Sequence, residues 1–166
     1  MPEDRERLGL GYLNHQAYKA QLYQVSDQVT DTAVLGANFV LWSGSSAGIP
    51  VRLISVRVSS TVATPVLFGT ILADPAIAAG NVASDLYLGG KAPQAYNEAA
   101  AVAALTPAKM LGQPNLPANS TQELLSPAVI FMPPGTGVLV SIAAAALVAS
   151  IVWLWAEIPA EDVDNP

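Results

Sequence analysis

The sequence of 166 residues contains no cysteine and only one histidine, His15. The absence of cysteine excludes disulfide bonds, thiolate metal sites and cysteine nucleophiles. One histidine among dispersed carboxylates supplies neither the nitrogen and sulfur ligands of a zinc site nor the dense oxygen ligands of a calcium site. We therefore expect no metal, no cofactor and no catalytic residue, and we do not expect an enzyme.

Charged residues are also scarce. They make up 12% of the chain, about half the fraction in an average soluble domain, whereas hydrophobic residues make up 52%. A surface with so few charges is apolar over large areas, which favours contacts with other protein chains. The net charge of −6 and the seven scattered Lys and Arg residues argue against direct binding of nucleic acid.

One short motif is typical of hydrolases. Residues 44–48 match the G-x-S-x-G pattern of an α/β-hydrolase nucleophile, with Ser46 in the nucleophile position. That fold places the catalytic histidine after the serine in chain order, but His15 precedes Ser46. We therefore interpret residues 44–48 as a connection between two strands.

Residues 137–156 form a run without a single charge. Its length would suffice for a membrane-spanning helix. However, no Lys or Arg follows Lys109, and the charges that flank the run are acidic, which is not typical of a span. Valine, isoleucine and tryptophan recur at period two, which favours strands. We predict strands at 136–142 and 148–157 and no membrane contact, with a membrane span as the alternative.

These two strands are nearly continuously apolar, which predicts burial on both faces. One face would lie against the core and the other against a neighbouring subunit. The residues predicted to mediate this self-association are Val138, Val140, Ile142, Trp153 and Trp155.

The rest of the chain also predicts strands. Short runs bounded by Gly, Pro, Asp and Asn occur at 22–29, 33–42, 50–60 and 64–73. In the last run, Gly69 indicates a bulge or a close approach of another backbone. The Ala-rich stretch 98–105 fits either a short helix or a strand. We predict an all-β fold, an antiparallel β-sandwich of about eight strands.

The predicted organisation has three parts. Residues 1–21 form an N-terminal arm, residues 22–159 a single β-sandwich domain, and residues 160–166 an acidic, disordered tail. Within the domain, 106–122 contains three prolines and no periodicity, which predicts a long loop. The arm and its junction with the domain carry residues expected to contact a different protein of a larger assembly, rather than to mediate self-association: Leu8, Leu10, Tyr12, His15, Tyr18 and Tyr23.

The C-terminal part of the chain resembles a known class of proteins. The segments VIFMPPGTGVLVSI (129–142) and SIVWLWAEIP (150–159) resemble the closing strand pair of small all-β virion structural proteins of tailed bacteriophages. The resemblance includes a Pro-Gly turn between strands and the final Trp155-Ala156-Glu157-Ile158-Pro159 sequence.

This resemblance implies a jelly-roll-like sandwich on the outer capsid surface of a virion. Proteins of this kind act as decoration or cement proteins, which bind across subunits of the major capsid protein, commonly as homotrimers. Two alternatives stay open. A tail-fibre or receptor-binding head domain would use exposed Trp and Tyr residues and the 106–122 loop. A small membrane protein would span the bilayer with residues 137–156.

Overall fold

The computed structural model describes residues 22–32, 36–44, 50–77, 93–125 and 129–158. These residues form eleven strands and no helix. In chain order, the strands are β1 Leu22–Thr30, β2 Ala37–Trp42, β3 Val51–Ser60, β4 Thr64–Ile71, β5 Tyr96–Ala100, β6 Lys109–Gly112, β7 Asn115–Leu116, β8 Ser120–Glu123, β9 Ile130–Met132, β10 Gly137–Ile142 and β11 Val148–Glu157.

The strands form two sheets in which every pair is antiparallel. The first sheet has the order β1-β11-β3-β8, and β9 pairs with β3 beside β8. The second has the order β5-β2-β10-β4-β6, and β7 pairs with β4. The chain passes between the sheets from β1 to β2, β2 to β3 and β3 to β4, then from β7 to β8, and again from β9 to β10 and β10 to β11. The predicted all-β, antiparallel β-sandwich is therefore confirmed.

The main core lies between the sheets. Strand β11 contributes alternate residues, Ile151, Trp153 and Trp155, all essentially inaccessible to solvent. Facing residues of the second sheet include Phe39 and Val140 in the same hydrophobic cluster. Each such side chain contributes roughly 1.5–3 kcal/mol to the free energy of folding. The period-two pattern of the sequence thus becomes one continuous core.

The apolar run forms two strands, with bounds close to those predicted. Strands β10 and β11 occupy 137–142 and 148–157, joined by a connection in which Ala146 adopts a φ of 51°. β10 pairs with β2 and β4, and β11 pairs with β1 and β3. Each is therefore a central strand of its sheet. Within the described ranges, no helix has the length and apolarity to cross a bilayer.

The outer face of the second sheet is covered by the chain itself. Residues 101–108, here called the strap, cross this face after β5 and lead into β6. Strap residue Leu105 packs against a second apolar cluster that contains Val40, Trp42 and Leu139. The predicted burial of β10 on both faces is correct, but the covering segment belongs to the same chain.

The prediction that the last two strands mediate self-association therefore needs correction. Each of the predicted residues is at most 1% exposed within a single chain. They belong to the main core: Val138, Val140, Ile142, Trp153 and Trp155. A second copy has no access to these side chains, because the facing sheet already covers them.

The structure corrects the prediction for residues 106–122 and decides between the two alternatives for residues 98–105. Residues 106–122, predicted as one long loop, contain β6, β7 and the start of β8. They follow the edges of both sheets, and sequence periodicity cannot detect strands of only two to four residues. The stretch 98–105, which was open between helix and strand, continues β5 as far as Ala100 and then forms part of the strap.

The prediction for Gly69 is confirmed. The pairing of β4 with β6 is irregular between Phe68 and Gly69. A Cβ atom on Gly69 would collide with the carbonyl oxygen of Lys109 and with the Pro107 side chain. Glycine is required here because the chain that leaves the strap lies directly against the backbone of β4.

Candidate functional site

The two lateral edges of the sandwich differ. At one edge, β1 and β5 are linked by a hydrogen bond in which Asn97 Nδ2 donates to the Asp27 carboxylate. At the other edge, β6 of the second sheet lies across a cleft of about 700 Å³ from β8 and β9 of the first. We call this the edge cleft. Its lining consists of Phe68, Leu111, Gly112, Gln113, Pro114, Gln122, Glu123, Leu124, Leu125, Val129 and Ile130.

The edge cleft lies where the middle of β3 has no strand partner on the side that faces away from β11. β9 pairs with Val51–Leu53 and β8 pairs with Arg57–Ser60, which leaves a gap between them. At this gap, Ile54 has no partner on β11, so the pairing of β3 and β11 contains a β-bulge.

The Glu123 carboxylate takes the place of the missing strand. It accepts hydrogen bonds from Ser55 Oγ at 2.9 Å, from the Val56 backbone N–H at 3.0 Å and from Arg57 Nε at 3.0 Å. Arg57 is exposed, as the alternation of β3 predicts. These charge-assisted bonds fix the cleft wall without filling the cleft.

Two large apolar side chains in the lining of the edge cleft are partly exposed to solvent. Leu111 on β6 and Val129 before β9 lie in its lining, 44% and 36% exposed. Met110 and Phe131 are their neighbours along the chain, and Phe131 is 59% exposed. The Arg52 guanidinium lies 5.7 Å from the centroid of the Phe131 ring, which is cation–π distance. Apolar surface clustered in this way is typical of an interaction site.

One polar atom of the cleft lining has no partner. The side-chain oxygen Oε1 of Gln122 is buried and makes no hydrogen bond. A buried acceptor without a donor costs about 1–3 kcal/mol. This oxygen is inaccessible from the cleft, so an occupant meets only the accessible part of the lining, which is more apolar than polar.

A smaller cavity of about 310 Å³ lies beside the strap. Its lining includes Ile71, Leu105 and Leu139 together with Leu72, which is 74% exposed. Among the described residues that line this cavity, Leu72 is the one exposed large apolar side chain, whereas the edge cleft has two, Leu111 and Val129.

A third feature combines a tyrosine and two carboxylates. The Tyr96 hydroxyl donates a hydrogen bond to the Asp74 carboxylate, and Glu98 accepts one from the Ile77 backbone N–H at 3.0 Å. Burial raises the pKa of Tyr96 well above its ordinary value, and the nearby carboxylates raise it further. These contacts hold residues 74–77 against β5. In the described part of the chain, no group of three or more His, Asp or Glu residues could hold a metal ion.

The residues predicted from the sequence fall into two groups. Leu8, Leu10, Tyr12, His15 and Tyr18 lie outside the described residues, as does Ser46. Tyr23 is fully buried in β1, with its ring centroid 5.6 Å from that of Trp155. The expectation that Tyr23 contacts a neighbour is therefore wrong, because it already packs in the core of its own chain.

The receptor-binding alternative required exposed tryptophans. All three, Trp42, Trp153 and Trp155, are at most 6% exposed, so they form no platform for a glycan. Sequence reasoning missed Met110, Leu111 and Phe131. A usable signal is the adjacent apolar pair Met110-Leu111, which lies within the segment 106–122 that its prolines and lack of periodicity predict to be a long loop.

Comparison with known proteins adds little. No family model matches the chain, and no curated protein matches it. Among solved structures, the chain is similar to a Bacillus thuringiensis Cry1Da tryptic core variant, with a TM-score of 0.22 and 11% sequence identity. The match covers 81% of this chain and 17% of the other. A likeness at this level carries no argument about fold or function.

Proposed function

We propose that this protein is a structural component of a tailed-bacteriophage virion. It acts as a decoration or cement protein on the outer capsid surface, where it binds the major capsid protein and stabilises the head. The mechanism is mechanical: burial of apolar surface at about 25 cal/mol per Å² holds neighbouring capsid subunits together, and several weak contacts act jointly.

The observation that supports this role most directly is the exposed apolar surface around the edge cleft. Leu111 and Val129 both line this cleft and are 44% and 36% exposed. Large apolar side chains grouped on a surface favour association with protein. The resemblance of residues 129–142 and 150–159 to phage virion proteins is the reason to propose a virion, rather than another assembly, as the partner.

We also propose that the sandwich is jelly-roll-like. The support is its strand order, β1-β11-β3-β8 in one sheet and β2-β10-β4-β6 within the other. The chain crosses between the sheets at six of its ten connections, as in a fold built from two Greek keys.

The test is binding to heads assembled from the major capsid protein encoded in the same genome, in detergent-free buffer. We expect saturable co-sedimentation of the wild-type chain with these heads. The variant Leu111→Asp should bind at least tenfold more weakly, because a charge on the cleft rim opposes burial against a partner. The matched control is Leu72→Asp, which changes an even more exposed leucine away from the edge cleft.

Two results would contradict the proposal. One is the absence of co-sedimentation at any concentration of wild-type protein. The other is an equal loss of binding in both variants, since this would show that the edge cleft has no special part in the contact.

A further inference from the structure

We infer that the edge cleft is the docking site for the N-terminal arm of a second copy of this chain, through residues 8–13. This inference rests on the proposed function. It names the contact through which two copies of the chain associate, either before they bind a capsid or while they bind it. Residues 8–13 lie outside the described residues, so the argument uses their sequence and the geometry of the cleft.

The chemistry of the edge cleft selects an extended peptide. Its lining includes the apolar residues Phe68, Leu124 and Ile130. The short strands β6 and β9 lie on its two sides. A peptide strand added at such an edge supplies backbone N–H donors and places alternate side chains into the pocket.

The sequence of residues 8–13, Leu-Gly-Leu-Gly-Tyr-Leu, fits this requirement. In an extended segment, Leu8, Leu10 and Tyr12 lie on one side, and Gly9, Gly11 and Leu13 lie on the other. Glycines allow the backbone to approach a neighbouring wall closely. Such a segment would present three apolar side chains to one wall and, over residues 8–12, only glycine to the other.

The fold indicates that the arm comes from another copy. β1 begins at Leu22, at the edge of the first sheet farthest from β8 and β9. Within a single chain, Met110, Leu111 and Phe131 are exposed. An arm that leaves at one edge and docks at the other edge of the next copy makes a head-to-tail contact, which can close into a ring.

The arm is long enough for this contact. Residues 14–21 span up to about 26 Å when extended. A domain of this size has a radius of gyration of about 15 Å, so residues 8–13 can reach the near edge of an adjacent copy.

Because the chain lacks cysteine, engineered cysteines can test the contact without disulfide bonds from native cysteines. The double variant Leu10→Cys/Leu111→Cys should form a disulfide between chains under mild oxidation. On a non-reducing gel, we expect species of two and three chain masses. Mixing the two single variants, each with a different tag, should give a mixed dimer. The control Leu10→Cys/Leu72→Cys places the second cysteine at an exposed leucine away from the edge cleft, and it should cross-link at least tenfold less.

Each other result overturns the inference. A disulfide within one chain would show that the arm docks on its own domain. No disulfide, or equal cross-linking in the control, would show that the arm does not occupy the cleft, provided that circular dichroism shows folded β-sheet in each variant. The cross-linking assay contains no capsid. A failure of the arm contact is therefore distinguishable from a failure of the protein to bind phage heads.

Discussion

At the scale of single residues, Tyr96 is the clearest case of a side chain whose chemistry is changed by the fold. Its hydroxyl donates a hydrogen bond to Asp74. Burial is the largest cause that raises the pKa of Tyr96 above the value of 10.0 for a free tyrosine. The hydrogen bond to Asp74 and the negative charges of Asp74 and Glu98 raise this pKa further. The protonated form is therefore favoured more strongly in the folded state than in the unfolded state.

This shift predicts how stability depends on pH. Above pH 10 the unfolded chain loses the tyrosine proton before the folded chain does, so the free energy of unfolding falls as pH rises. The contribution is fully present below pH 10. We expect the decline between pH 10 and about 12 to be shallower in Tyr96→Phe, measured by urea unfolding. Asp74→Asn should also reduce the decline. An unchanged slope in Tyr96→Phe would contradict the assignment.

At the scale of elements, the strap is held by one amide side chain. Asn38 Nδ2 donates to the carbonyl oxygens of Val102 and Ala103, at 2.9 and 3.2 Å. Its Oδ1 accepts from the Leu105 backbone N–H and from Ser141 Oγ. All four hydrogen-bonding positions of the amide are used. Asn38 thus fastens the strap to the outer face of β2 and β10.

Removal of this amide should be costly. We expect Asn38→Ala to lower the free energy of unfolding by about 3 kcal/mol, because it leaves the carbonyl oxygens of Val102 and Ala103 and the hydroxyl proton of Ser141 without their partner. Chemical denaturation would measure the loss. Asn115→Ala, at an exposed residue of β7, is the matched control and should change stability little. Equal effects in both variants would show that Asn38 does not anchor the strap.

At the scale of the whole molecule, low charge and an apolar edge favour self-association. The chain carries 12% charged residues, and its exposed large hydrophobic side chains include two in the lining of the edge cleft, Leu111 and Val129. By sedimentation equilibrium in detergent-free buffer, we expect three times the chain mass of 17.2 kDa. Deletion of residues 1–13 should give the single-chain mass. A full-length protein that stays at one chain mass at all concentrations would contradict the homotrimer.

The sequence by itself determined the elements with strong periodicity. The period-two alternation in residues 136–142 and 148–157 predicted β10 and β11 with bounds within one residue of those observed. Gly69 indicated a close backbone approach, because only a residue without a side chain tolerates one. Such signals are local: each depends on a residue and its near neighbours in the chain.

Only the tertiary structure decided what covers each surface. Alternating apolar residues require burial, but burial by the same chain and burial by another chain leave the same pattern in the sequence. The strap covers β10 because Asn38 bonds to residues more than 60 positions away. The edge cleft arises from strands β6, β8 and β9, which are too short to show periodicity. Contacts over such separations depend on the arrangement of both sheets, so the candidate site was visible only in the folded molecule.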